Sequence, residues 1–162
     1  MRRPTPSFGV TGALARIATI DLTRVMAKVR KEENWSAADA AHAEQRYRRF
    51  LAMRLMKPAF HLVPARDIDK VWHQHILHTM QYAKDCNNIF GAFVHHRPGS
   101  TDTADLAHLR ESFDKTKALY AECFGEDYVY TWLNILLRAA AAEPPRQLAR
   151  AVPRAAGAEG TP

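Results

Sequence analysis

Apolar residues recur along this chain at intervals of three and four, and nowhere in the strict alternation of a half-buried strand. Leu14, Ile17, Ala18, Leu22, Val25 and Val29 carry that spacing from Gly12 to Arg30 and predict a first helix, ending near the polar residues Lys31 to Asn34. Ser36, with Asp39 three residues on, has the form of an N-cap with a capping-box partner. The run from there to Met56 is rich in Ala, Arg, Glu and Leu and predicts a second helix, with Tyr47, Phe50, Leu51 and Leu55 as its buried stripe and Pro58 as its stop. Residues 57–66, with Pro58 and Pro64, form a connector. A third helix opens at or near Asp67 and runs to about Asn87, before the breakers Gly91, Pro98 and Gly99. Leu106, Leu109, Phe113, Thr116, Leu119 and Tyr120 mark a fourth, capped by Asp102 and ended by Gly125. Tyr128 to Ala142 predicts a fifth, with Trp132, Ile135 and Leu136 inward and Pro144 and Pro145 closing it.

The expected fold is therefore all-α: a single compact domain of about five helices over residues 11–142, without internal repeats. Residues 1–10, with Pro4, Pro6 and Gly9, are expected to be flexible, and the Ala/Arg/Pro tail 143–162, almost devoid of large apolar residues, to be disordered.

Composition changes this picture little. The apolar fraction of 47% and charged fraction of 25% are ordinary for a soluble domain. The net charge of +6 sits mostly at the ends, with Arg2 and Arg3 at one and four arginines against Glu143 and Glu159 at the other. Residues 4–137 carry 17 basic against 15 acidic side chains, so the body lacks the basic stripe of a nucleic-acid binder. Arg46, Arg48 and Arg49 read as a solvated helix face. No apolar run approaches a membrane span, and no signal-peptide pattern follows Arg2 and Arg3. Two cysteines, Cys86 and Cys123, make no disulfide framework. The expectation is a cytoplasmic protein with reduced thiols, no membrane or nucleic-acid partner, and an oligomeric state left open.

The chemistry is concentrated between Asp67 and His96. Five of the eight histidines lie there (His73, His75, His78, His95 and His96), interleaved with Tyr82, Asp85 and Cys86. With Asp69 at 0°, His73 falls at about 40° on a helix and His75 at about 240°. Asp69 and His73 are an i, i+4 pair able to share a metal ion or to orient one another. His75 and His78 are i, i+3 on the other side, with Tyr82 one turn further. His73 and His75 cannot bind one ion on a regular helix, so either the helix bends or the two have different tasks. A second element carrying His95 or His96 back to either pair would complete three ligands with open positions, as catalytic metal sites require. The spacing is neither HExxH nor the paired ExxH of di-iron bundles. Simpler roles compete: a helix histidine is more often a satisfied polar residue, Cys86 a small buried hydrophobe, and Trp72 and Phe90 core. Asp85 is a candidate cap, or a partner for Arg48 or Arg49. His42, His61 and His108 have no supporting spacing and receive no role.

The string IDKVWHQHILHTMQYAKDCNNIFGAFVHH resembles the glycine-rich-domain-containing-protein-like family, which includes small bacterial proteins and the N-terminal part of some plant proteins. The resemblance takes in Glu44, Tyr47 to Leu51, Val63-Pro64, Leu109, Phe113, Thr116, Tyr120 and Phe124-Gly125, roughly residues 35–126. Asp69, Trp72, His73, His75, Tyr82, Asp85, Cys86, Gly91 and His96 sit at its characteristic positions. His78 departs from the Asp common in bacterial relatives, and Arg97-Pro98-Gly99 replaces a Pro-Tyr and glycine-rich stretch. The resemblance implies a helical domain and no particular reaction.

The expected function is metal binding, as a small metal-dependent enzyme acting on a small molecule or peptide: an oxidoreductase with oxygen-activating iron, or a hydrolase with zinc. The candidate ligands to this divalent transition metal are His73, His75, His96, Asp69, Asp85 and His78, and the candidate catalytic groups are Tyr82 and Cys86. The alternatives are a non-catalytic helical interaction module with a buried or pH-sensitive histidine network, and a metal-independent His/Cys enzyme.

Overall fold

A computed structural model describes residues 9–97 and 103–129, and among them six helices form and no strand. In chain order they are α1 (Val10–Ile17), α2 (Thr23–Glu32), α3 (Ala37–Met56), α4 (Arg66–Leu77), α5 (Thr79–Phe90) and α6 (Thr103–Phe124). The long α3 is the axis: α1, α2, α4 and α6 all pack on it, with α2 also against α4 and α4 against α5. The all-α expectation holds. Residues 1–8 of the expected flexible segment 1–10, the Asp102 cap, the helix over 130–142 and the tail 143–162 lie outside the described residues. Val10 already belongs to α1, and Tyr128 and Val129, placed at the start of a fifth helix, are not helical.

The cap at Ser36 forms as its spacing predicts. Its hydroxyl accepts the Asp39 N–H at 3.1 Å and donates to the Asp39 carboxylate at 2.6 Å, so Asp39 answers the hydroxyl rather than the backbone N–H of a full capping box. Tyr47, Phe50 and Leu51 are buried along the stripe.

Two predicted helices are each split in two. The single helix expected from Gly12 to Arg30 breaks between Ile17 and Thr23. The carbonyls exposed by that break are taken by an arginine from elsewhere: Arg48 donates to Ile17 O and Ile20 O, both at 3.1 Å. The Asp21 carboxylate accepts the Thr23 N–H at 3.0 Å and helps α2 to start, and this bond lowers its pKa. The third helix expected to about Asn87 breaks at His78, whose ψ of 59° turns the chain before α5 begins. The His78 ring Nδ1 donates to Gln74 O at 2.7 Å, meeting a carbonyl at the end of α4.

The basic cluster of α3 is not solvated, contrary to its expected role. Arg46 is 2% exposed, bonds both oxygens of Asp67, and donates to the carbonyls of Asp127 and Tyr128. Arg49 pairs with Glu126 and bonds the Tyr120 hydroxyl. The connector before α4 has no strand partner, so side chains satisfy its backbone. Val63 N–H donates to Thr116 Oγ, Ala65 N–H donates to the Tyr128 hydroxyl, and that hydroxyl donates to Val63 O.

Gly91 ends α5 at φ +73°, with its N–H on Asn87 O at 3.0 Å and open space where a Cβ would stand. Backbone conformation alone thus selects glycine there. Gly91→Ala is expected to cost about 1 kcal/mol and Gly91→Asn less, with helix content unchanged. Urea midpoints check this, and an alanine variant as stable as wild type would contradict the left-handed turn.

Candidate functional site

Position along α4 sorts the histidines. Asp69 and His73 lie one turn apart on one face, with His73 exposed, while His75 points the other way and is 1% exposed. α4 is unbroken from Arg66 to Leu77, so the bend at His78 comes too late to bring His73 and His75 together. The two histidines belong to two different clusters.

The outer cluster forms because the chain returns after Gly91. His96 Nε2 lies 2.8 Å from Asp69 Oδ1, and His73 Nε2 lies 3.6 Å from the same oxygen. The His73 and His96 rings meet edge to face with centroids 4.5 Å apart. One ligand atom from each of the three residues falls within 4.8 Å of the others, and no other such His/Cys/Asp/Glu group of three occurs among the described residues. No described lysine or arginine pairs with Asp69. An imidazole pair and a carboxylate free of competing cations are a suitable donor set for a transition metal.

The inner cluster pins three helices. His75 Nε2 meets Asp85 Oδ2 at 3.1 Å, from α5, and His75 Nδ1 meets the Tyr47 hydroxyl at 2.9 Å, from α3. A carboxylate opposite Nε2 places the ring proton there, so Nδ1 accepts from the Tyr47 O–H. Burial pushes the His75 pKa down, against the pull of Asp85, and pushes the Tyr47 phenol well up. His75 is therefore a neutral hydrogen-bonding core residue.

Trp72 and Tyr82 join the clusters. The Trp72 indole N–H donates to the Tyr82 hydroxyl at 2.9 Å, and that hydroxyl donates to Val94 O at 2.5 Å. Val94 is two residues before His96, whose ring meets that of Trp72 at an angle of 71° with centroids 4.6 Å apart. The Tyr82 ring also meets His75 at 4.9 Å, and burial raises its phenol pKa.

Of the six candidate ligands, Asp69, His73 and His96 come together, while His75 and Asp85 bond each other. His78 turns back onto Gln74, and the pairing of Asp85 with Arg48 or Arg49 gives way to His75. Tyr82 has its hydroxyl committed to Trp72 and Val94, and Cys86 is buried beside it. His95 is exposed against the Phe93 ring. Sequence reasoning placed Tyr47 and Trp72 in the core and missed their polar roles. A buried Tyr or Trp needs a hydrogen-bond partner, and that was the available signal.

Residues 15–123 match the model of the UCP032817-like family, and the chain belongs to that family. It is similar to glycine-rich domain-containing protein 2 of Arabidopsis thaliana, 30% identical over 129 residues that cover 72% of this chain and 16% of the relative. It is also similar to glycine-rich domain-containing protein 1 of the same plant, 33% identical over 90 residues, covering 53% of this chain and 11% of the relative. The chain thus spans less than a fifth of the length of these relatives, in keeping with the resemblance seen in its histidine segment. No solved structure matches.

Tyr82→Phe leaves the buried Trp72 N–H and Val94 carbonyl without this partner. It is expected to cost about 2–3 kcal/mol and to speed amide exchange at His95 and His96. Urea unfolding with hydrogen exchange checks both effects. A variant with wild-type stability and protection would deny the phenol its positioning role.

Proposed function

Within that family, we propose that this chain is a metal-binding protein, a small metal-dependent enzyme whose Asp69, His73 and His96 hold one divalent transition ion, iron or zinc. The observation that supports it best is the approach of two imidazole Nε2 atoms to one carboxylate oxygen, with His96 arriving from 27 residues beyond Asp69. Three protein ligands leave positions open for water and substrate. When bound, iron supplies oxygen activation and zinc a water acidic enough for hydrolysis.

The chain's own residues supply the rest. His96 Nε2 and His73 Nε2 would hold the ion as proton-free nitrogens, beside the Asp69 carboxylate. Trp72, Tyr82 and Val94 hold His96 in place, and the Tyr47–His75–Asp85 bonds hold α4 against α3 and α5. Tyr82 acts as a positioning residue, and Cys86 packs beside it without a place at the reacting atoms. A small molecule or peptide substrate approaches from the exposed His73 side. A cytoplasmic setting with reduced thiols belongs to the same reading. No described helix is long and apolar enough to cross a membrane.

The second reading is a non-catalytic helical interaction module. It is favoured by one observation, the buried His75 network, which is complete without an ion. Elemental analysis and an optical spectrum of untagged protein separate the two. The metal reading expects about one ion per chain, lost in Asp69→Ala, His73→Ala and His96→Ala while the helical spectrum is kept. Fewer than about one ion per five chains after metal-replete growth overturns it in favour of the interaction module.

A further inference from the structure

Arg54 puts a charge where α3 otherwise carries its core. Tyr47, Phe50 and Leu51 are buried, and Arg54 continues that stripe, four residues after Phe50 and seven after Tyr47. It is half-buried, with its guanidinium over the Trp72 ring, 5.9 Å from the centroid. Arg46, Arg48 and Arg49 of the same helix all bond carboxylates. Arg54 makes no hydrogen bond or ion pair to any described residue; beyond the Trp72 ring it has only electrostatic neighbours. Burial pushes its pKa down, yet arginine remains charged at any working pH. A desolvated cation without an acidic partner destabilises a fold, and an apolar residue at this position would not.

Its own electrostatic neighbours are the Tyr82 phenol and the Cys86 thiol, both buried, and neither is a carboxylate. The His61 imidazole is pushed below its ordinary pKa by burial, and the charges of His108, Arg97 and Arg54 push it the same way. His61 and His108 stack in parallel with centroids 5.5 Å apart. Arg97 directly follows His96. Trp72 connects this region to the outer cluster, with Arg54 over its ring and the His96 ring against it at 4.6 Å between centroids.

We propose that Arg54 is an oxyanion-binding residue, receiving the carboxylate or phosphate group of a ligand whose other end reaches Asp69, His73 and His96. The planar guanidinium fork pairs with both oxyanions, and the Trp72 ring lies beneath it. The inference deepens the metal reading and rests on it only for what the far end of the ligand meets. The anion contact itself needs no ion.

The test uses the full chain, ¹⁵N-labelled and metal-free, titrated separately with succinate and with inorganic phosphate. The signals followed are the Arg54 Nε–H and the Trp72 indole N–H. Both are expected to shift saturably in the wild-type chain; in the variants the Trp72 indole alone is followed, with affinity at least tenfold weaker in Arg54→Gln and intermediate in Arg54→Lys. Tighter succinate binding identifies a carboxylate ligand and tighter phosphate binding a phosphoryl one. No saturable shift with either anion overturns the proposal, as does wild-type affinity in a folded Arg54→Gln. Should that variant not fold, wild-type affinity in Arg54→Lys overturns it instead. The titration contains no metal, so a chain that binds no ion leaves its result standing. A chain that binds an ion but neither anion refutes this inference and spares the metal site.

Discussion

The hydroxyl of Tyr82 receives a hydrogen bond from the Trp72 indole and donates one to the carbonyl of Val94, so a single buried oxygen joins α4, α5 and the returning segment 92–97. Each bond constrains a different part of the site. The Trp72 bond holds α5 against α4 after the turn at His78. The Val94 bond brings the chain after Gly91 back along α4, where His96 meets Asp69. Both partners are buried, so their polar groups cannot turn to water instead. The outer cluster, assembled from residues on either side of α5, inherits its geometry from this one phenol.

The arginines of α3 divide the work of the fold in a similar way. Arg48 closes the end of α1, Arg46 gathers Asp67 and the chain after α6, and Arg49 fastens Glu126. Each is a long-range tie whose charge is matched by a carboxylate. Arg54, on the same helix, has an aromatic ring and no carboxylate. The contrast within one helix makes the unmatched charge informative, because the same side chain is matched three times where only structure is served.

The legible parts of the sequence were those governed by local rules. Apolar spacing and Ser36 located α3 to the residue at its C-terminus, and the rotation of about 100° per residue separated His73 from His75 on spacing alone. The break between Ile17 and Thr23 was not legible, because the donor that satisfies it, Arg48, lies about thirty residues away. Nor was the break at His78, where one ψ angle and one imidazole decide the matter inside a pattern that reads as continuous helix. The side to which His96 returns depends on Tyr82 and Val94, a pairing across a glycine turn that spacing cannot reveal. Arg46 looked solvated because its partner Asp67 sits beyond a connector and its carbonyl partners beyond α6.

That last arginine bears on how the chain is made. Its guanidinium reaches the carbonyls of Asp127 and Tyr128, more than eighty residues later. At roughly 5–20 residues per second, a nascent chain spends several seconds with α3 already made and these acceptors not yet synthesised. The interval is lengthened by the residues that must still clear the ribosome. During it Arg46 cannot adopt its final burial, and the face of α3 that packs against Tyr120 and Tyr128 stays open. The final closure of this domain is therefore timed by translation of its last described turn, after the residues of both histidine clusters have been made.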